Sequence, residues 1–117
     1  MNLSQMAEKL GLQSLTPEVE AGKPADISGG YVSDLLSDVL AHAPNGGVLV
    51  TIQVHMNVIA VAVHAGIAAV IFASGRKPDE AVIKKAVEER VPLYVAKEPA
   101  FDCVGLLYSM GLRGPHA

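Results

Sequence analysis

The chain has one cysteine, no tryptophan and few aromatic residues, which make up 4% of its 117 residues. A single cysteine, Cys103, excludes intramolecular disulfides and a metal site built from several thiolates. A lone thiol is also what we expect in the reducing cytoplasm. With so few aromatic side chains, the protein is poorly suited to a surface on which nucleic-acid bases stack.

Charge is also sparse, since charged residues make up 18% of the chain and the formal net charge is −3. Proteins that bind duplex nucleic acid normally present a basic face, which this composition does not supply. A hydrophobic fraction of 50% excludes a disordered chain. The composition therefore predicts one folded domain over residues 1–117, large enough to bury roughly two-thirds of its unfolded surface.

Neither a signal peptide nor a membrane span is predicted. Residues 1–5 lack the basic start and apolar run of a signal peptide. The apolar stretch 47–73 is interrupted by polar side chains, namely Gln53, His55, Asn57 and His64. A membrane-spanning helix needs about 20 consecutive, mainly apolar residues. We therefore expect a cytoplasmic protein that makes no contact with a membrane.

Short apolar segments alternate with segments of helical periodicity, a pattern typical of an α/β fold. It predicts a three-layer sandwich, in which helices flank a mostly parallel sheet on both faces. Strands are predicted at 12–16, 25–28, 48–54, 67–73 and 91–96. A first helix is predicted to start at Asn2, which can cap it with Gln5 three positions on, and another to run from Asn57 to Ala65, ended by Gly66. Further helices are predicted to start after Gly30 and at Pro78 and Pro99. The helical periodicity further predicts that Leu35, Leu40, Phe101 and Tyr108 are buried, while residues 113–117 are expected to fray.

Polar residues and glycines follow several of the predicted strands. In open parallel sheets, ligands bind beyond the carboxyl ends of the strands. We therefore predict a ligand-binding site at this edge of the sheet. Its candidate residues are Ser28, Gly29, Gly30, Tyr31, Gln53, His55, Asn57 and Arg76.

Each candidate has a functional and a structural interpretation. The pair Gly29-Gly30 is predicted just before a helix, where its N–H groups would contact an anion; the alternative is a tight turn with positive φ. His55 would orient a ligand, or its ring would form hydrogen bonds with the backbone instead. Asn57 would also orient a ligand, or would cap the next helix. Arg76 would bind a phosphate or carboxylate, or lie exposed in a turn.

No catalytic constellation stands out in the sequence. It contains no Ser/His/Asp order, nucleophile elbow or paired carboxylates. Asp34, Asp38 and His42 have the i, i+4, i+8 spacing of metal ligands, but solvated helix faces often repeat that spacing. We expect neither a metal nor a cofactor, and no catalytic residues. An enzyme that uses His55 as acid or base is the least favoured alternative.

Residues 26–37 resemble the signature of the DRTGG-domain family. The likeness extends in order over nearly the whole chain, through residues 51–57, 61–63, 75–78 and 107–111. The resemblance implies a stand-alone regulatory module, similar in fold to the N-terminal domain of HPr kinase/phosphorylase. In larger proteins the module accompanies CBS nucleotide-sensing domains. Ile27 stands where the motif has arginine and Ser28 where it has threonine, so an anion site carried over from the family would lack its guanidinium.

These observations favour a non-catalytic regulatory or ligand-sensing module. We expect it to bind a nucleotide or phosphorylated metabolite at the carboxyl edge of the sheet. The alternative is a purely structural domain for homo-oligomerisation or protein interaction, with no small-molecule ligand. The expected partners are a second copy of the chain, forming a dimer, and another protein, but neither nucleic acid nor a membrane.

Overall fold

The first helix, α1 (Leu3–Leu10), begins at the capping box that its sequence predicts. The computed structural model describes residues 1–20 and 26–116. The Asn2 side chain accepts the Gln5 N–H at 2.9 Å, and the Gln5 side chain accepts the Asn2 N–H at 3.0 Å. At the other end, Gly11 adopts φ 63° and donates its N–H to the Ala7 and Glu8 carbonyls. Local chemistry thus sets both ends of α1.

Within the described residues, the strands form one five-stranded sheet. Four neighbouring strands are parallel, and the strand at one edge is antiparallel to its neighbour. The predicted, mostly parallel sheet is therefore confirmed. The strands are β1 (Gln13–Ser14), β2 (Gly30–Val32), β3 (Val48–Thr51), β4 (Ala69–Phe72) and β5 (Leu93–Val95), in the order β1-β5-β4-β3-β2.

Helices cover both faces of the sheet, as the predicted three-layer sandwich requires. Besides α1 they are α2 (Pro17–Glu20), α3 (Leu36–His42), α4 (Asn57–Ala65), α5 (Glu80–Glu89) and α6 (Ala100–Ser109). Helices α1 and α6 pack on one face, and α3, α4 and α5 pack on the other. None of the helices in the described part of the chain is long and apolar enough to cross a membrane.

The central strands are buried on both faces because successive side chains point in opposite directions. In β3, Val48 and Val50 pack toward α1 and α6, while Leu49 packs toward α3 and α4. In β4, Ile71 packs toward α1 and α6, and Phe72 packs toward the opposite layer of helices. Aliphatic runs without polar alternation are what such a two-sided core requires.

The predicted strand at 25–28 is wrong, although part of it, Ala25, lies outside the described residues. The strand begins instead at Gly30, so the Gly29-Gly30 pair lies at the start of β2 and not at the end of a strand. Ile27, at the position of the motif arginine, is 7% exposed and belongs to the core beneath α1 and α6. An apolar side chain is therefore well suited to position 27, because this position lies in the core.

Gly29, the first glycine of the pair, is required by a close backbone approach. A Cβ on Gly29 would lie 2.7 Å from the Arg113 carbonyl oxygen. The same oxygen accepts the Gly30 N–H at 2.9 Å. The expectation that the chain frays from residue 113 is therefore wrong at Arg113, which is bonded to the start of β2. The predicted positive φ is also wrong, since neither glycine of the pair adopts it.

Several apolar side chains in α3 and α6, and at the N-cap of α3, were predicted to be buried but face solvent. Leu35 is 65% exposed and Leu40 51%, while Phe101 is 88% exposed and Tyr108 56%. Helix α6 contacts β2 and β3, at the end of the sheet where no further strand pairs within the described residues. Periodicity identifies the apolar face of a helix but does not show how much of that face its neighbours cover.

Candidate ligand-binding site

The loop that follows β3 is held by a ladder of hydrogen bonds from backbone to side chain. Thr51 Oγ1 accepts the Gln53 N–H at 3.0 Å, and Gln53 Oε1 accepts the His55 N–H at 3.2 Å. His55 Nδ1 then accepts the Asn57 N–H at 3.1 Å, where α4 begins. Each bond spans two residues, so side chains close successive turns of the loop. The ladder therefore sets the conformation of residues 51–57.

This ladder decides what His55 and Asn57 present to solvent. Because His55 Nδ1 accepts a hydrogen bond, the neutral imidazole carries its proton on Nε2. The exposed ring can then donate from Nε2. The alternative in which Asn57 caps the next helix is wrong, because α4 begins after Met56 without a side-chain cap. Asn57 instead presents an exposed carboxamide at the start of α4.

Asp34 links the carboxyl ends of β2 and β3. Its Oδ1 accepts the Thr51 hydroxyl at 2.8 Å and the Ile52 N–H at 2.8 Å. Thr51 is fully buried, so the carboxylate holds the first member of the ladder in place. Sequence reasoning missed this role because it placed the neighbouring strand too early. With β2 at its observed position, Asp34 would have been recognised as a polar residue just beyond a strand.

Tyr31 contacts α3 and does not reach the carboxyl edge. Its hydroxyl donates to Asp38 Oδ2 at 2.8 Å, and His42 Nδ1 lies 3.1 Å from Asp38 Oδ1. The Tyr31 hydrogen bond is the main cause that lowers the pKa of Asp38, and the same bond raises the pKa of Tyr31. In the described part of the chain, no group of three or more His, Cys, Asp or Glu side chains could hold a metal ion.

We expect Tyr31→Phe to reduce the stability of the protein across the neutral range, and to reduce it less at acid and at alkaline pH. A lowered Asp38 pKa stabilises the fold above the carboxyl's unfolded pKa, and this stability is lost as pH falls through the folded value. A raised Tyr31 pKa stabilises the fold below the unfolded value of 10.0, and this stability is lost as pH rises through the folded value. Thermal unfolding midpoints measured from acid to alkaline pH should therefore vary less in Tyr31→Phe than in the wild type. An equal flattening in Tyr108→Phe, which leaves Asp38 untouched, would contradict the assignment.

Arg76 lies at the same edge, in the loop after β4. Ser74 and Gly75 adopt φ of 59° and 67° and turn the chain sharply. Their N–H groups donate to the Glu98 and Ala96 carbonyls, both at 2.7 Å. These bonds join the loop after β4 to the loop after β5, and Arg76 is exposed beside them. Arg76 is therefore exposed beside a tight turn, and anion binding by its guanidinium stays a prediction.

The candidate residues do not converge on one site, contrary to the sequence-based prediction. Gly30 pairs with Val48, the first residue of β3, so the Gly29-Gly30 pair lies at the amino edge of the sheet. Ser28 is at the same end, where its hydroxyl donates to the Asn45 carbonyl at 2.6 Å. The prediction that the glycines precede a helix is also wrong, because Gly30 is the first residue of a strand.

A cavity of about 400 Å³ lies at the carboxyl edge, between the ladder and the start of α5. Asp79 caps α5, and its Oδ1 accepts the Val82 N–H at 3.2 Å. The volume is in the range of small-molecule sites. Polar and apolar side chains both line the cavity, namely Gln53, Val54, His55, Met56, Asp79, Ala81 and Val82.

The sequence matches no protein-family model and no curated protein. The fold is similar to a crystal structure of the CBS and DRTGG domains from the regulatory region of Clostridium perfringens pyrophosphatase, in complex with its activator, diadenosine tetraphosphate. The TM-score is 0.70 at 13% identity, over 90% of this chain and 45% of that one. This chain therefore spans less than half of the regulatory region. The likeness shows a shared fold, related to that of a CBS and DRTGG regulatory region.

Proposed function

We propose that this domain is a non-catalytic ligand-sensing module that binds a nucleotide or phosphorylated metabolite at the carboxyl edge of its sheet. The observation that carries the proposal is the cavity beside the residue 51–57 ladder, at the edge where parallel sheets bind ligands. Gln53, His55 and Asn57 supply polar groups on one side of that edge, and Arg76 supplies a cation. The nucleotide activator bound by the structurally similar regulatory region is consistent with this ligand class.

The charges at this edge suggest how such a ligand would be oriented. The Arg76 guanidinium can bind a phosphate through two parallel hydrogen bonds. Asp79 lines the cavity, and its carboxylate would repel a phosphate but accept hydrogen bonds from sugar hydroxyls. We therefore place the phosphate toward Arg76 and the neutral part of the ligand in the cavity.

The same geometry favours sensing over catalysis. The side-chain acceptors of Thr51, Gln53 and His55 are used to hold backbone N–H groups. Cys103 is buried in the core beneath α6, and burial, with Glu98 and Asp102 nearby, raises its pKa to about 11. Its thiol is therefore protonated at neutral pH and is a poor nucleophile.

Isothermal titration of the protein with adenine nucleotides, diadenosine tetraphosphate and inorganic phosphate tests the proposal. We expect at least one nucleotide to bind, and Arg76→Gln to weaken that binding by about tenfold or more, because a charge-assisted contact is lost. Arg90→Gln is the matched control, since Arg90 is an exposed arginine just after α5, before β5 and thus at the amino edge. Absence of binding by every probe, or equal weakening by both substitutions, would contradict the proposal.

The exposed apolar side chains of α3 and α6 favour the second candidate, a homo-oligomerisation domain. This role needs no small-molecule ligand and is compatible with the first. The sequence-based expectations of a cytoplasmic location and of a further protein partner stay predictions.

A further inference from the structure

The ladder of residues 51–57 determines which polar groups the loop can offer to a ligand. Gln53 Oε1 accepts the His55 N–H at 3.2 Å, so the Nε2 group is the end of the Gln53 side chain that is left to donate. His55 Nδ1 accepts the Asn57 N–H at 3.1 Å, so the neutral ring donates from Nε2. Gln53 and His55 both line the cavity at the carboxyl edge. The ladder side of this cavity therefore offers hydrogen-bond donors.

The other side of the cavity, at the start of α5, offers an acceptor. Asp79 Oδ1 accepts the Val82 N–H at 3.2 Å, and Asp79 Oδ2 makes no hydrogen bond or ion pair within the described residues. Among the described residues that line the cavity, Asp79 is the one with an acidic side chain. An ionised carboxylate accepts hydrogen bonds and donates none. A ligand that fills the cavity must therefore present donors to α5 and acceptors to the ladder.

Guanine has this pattern of donors and acceptors, and adenine does not. One edge of guanine carries two acceptors, O6 and N7, whereas adenine carries the N6–H₂ donor beside N7. The adjoining edge of guanine carries two neighbouring donors, N1–H and N2–H₂, which a carboxylate can accept through both of its oxygens. The same edge of adenine offers a carboxylate one donor, N6–H₂, and places the N1 lone pair next to it.

We infer that the nucleotide bound at this site carries guanine, which donates from N1–H and N2–H₂ to Asp79 and accepts at O6 and N7 from Gln53 and His55. The inference rests on the proposed function and deepens it, because it names the base. Val54 and Met56 line the same cavity and supply apolar contacts to the faces of the base. The base is the neutral part of the nucleotide and takes the cavity, while the phosphate lies outside it.

Isothermal titration of the full chain with guanosine, inosine and adenosine diphosphates tests the inference. We expect the guanosine nucleotide to bind about tenfold or more tightly than the adenosine nucleotide, because only guanine makes the charge-assisted pair of hydrogen bonds. The inosine nucleotide keeps N1–H, O6 and N7 but lacks the N2 amino group, so its affinity should be intermediate. All three ligands carry the same ribose and diphosphate, so the differences in affinity report the base.

Two substitutions should each reduce the ratio of guanosine to adenosine nucleotide affinity by about tenfold. In Asp79→Asn the amide offers one acceptor and one donor to two donors of guanine, and asparagine still caps α5. In Gln53→Glu the carboxylate still accepts the His55 N–H but has no donor for O6 or N7. The matched control is Asp102→Asn, because Asp102 is an exposed carboxylate in the first turn of α6 and does not line the cavity.

Equal affinity of the wild-type protein for the guanosine and adenosine nucleotides would overturn the inference and leave nucleotide binding intact. A preference that survives Asp79→Asn would also overturn it, as would one that Asp102→Asn reduces as much. Absence of binding by all three nucleotides would overturn the proposed function itself, and the inference with it. Circular dichroism of each variant establishes that it is folded. Gln53→Glu keeps the inference testable even if Asp79→Asn does not fold, because it leaves the cap of α5 unchanged.

Discussion

Gly29→Ala should lower the free energy of unfolding by about 1–3 kcal/mol, the usual range for forcing a side chain into a packed site. The new Cβ would lie 2.7 Å from the Arg113 carbonyl oxygen, which is backbone and cannot rotate away. Relief of this clash would displace the segment around Arg113 and weaken its hydrogen bond to the Gly30 N–H, which is 2.9 Å long. Urea unfolding monitored by circular dichroism measures the change.

Gly30→Ala is the matched control, one residue along the same strand start. A Cβ there would meet only the Val48 carbonyl oxygen, at 3.9 Å, which is an ordinary contact. Alanine also restricts the unfolded chain, so we expect no loss of stability, or a gain below about 1 kcal/mol. Equal destabilisation by both substitutions would show that the pair is needed for another reason.

Thr16→Val should also cost about 1–3 kcal/mol, since it leaves a buried backbone donor without a partner. The Leu93 N–H donates to Thr16 Oγ1 at 2.9 Å, and Thr16 is fully buried. The preceding Leu15 N–H donates to the Leu93 carbonyl. The Thr16 hydroxyl therefore continues the pairing of β1 with β5 up to the residue before Pro17, where α2 starts.

Thr16→Ser separates the hydrogen bond from packing. It keeps the hydroxyl and removes one methyl group, which typically costs about 0.5–1.5 kcal/mol in a core. Urea unfolding of the two variants under the same conditions should show the larger loss in Thr16→Val. If Thr16→Ser were the more destabilised variant, packing of the methyl group, and not the hydrogen bond, would account for the role of Thr16.

Much of the fold could be predicted from local pattern. Helix α4 has the limits that its sequence predicts, Asn57–Ala65, because Gly66 ends it in the left-handed conformation. The capping box of α1 and the apolar runs of β3 and β4 could also be predicted from the sequence. In each case the signal lies within a few residues and reflects a local requirement for a cap, a turn or a two-sided core.

The candidate site could be predicted only in part. His55 and Asn57 were placed correctly beyond β3, because an apolar run precedes them, but the predicted strand 48–54 is too long, since β3 ends at Thr51 before Gln53. The Gly29-Gly30 pair was placed at the wrong edge, since a glycine pair next to a short strand is read as the end of that strand. The role of Asp34 could not be found, because it depends on which strand lies beside β3.

The division between sequence and structure follows the range of the interactions. Few aromatics, one cysteine and a half-apolar chain already predict an aliphatic core of buried strands between helices, because burial depends on composition and periodicity. The position of β2 depends on a contact between Gly29 and Arg113, which are far apart in the sequence. The exposure of Phe101 depends in the same way on which elements adjoin α6. Only the tertiary structure could decide the position of β2 and the exposure of Phe101, because neither leaves a periodic signal in the surrounding sequence.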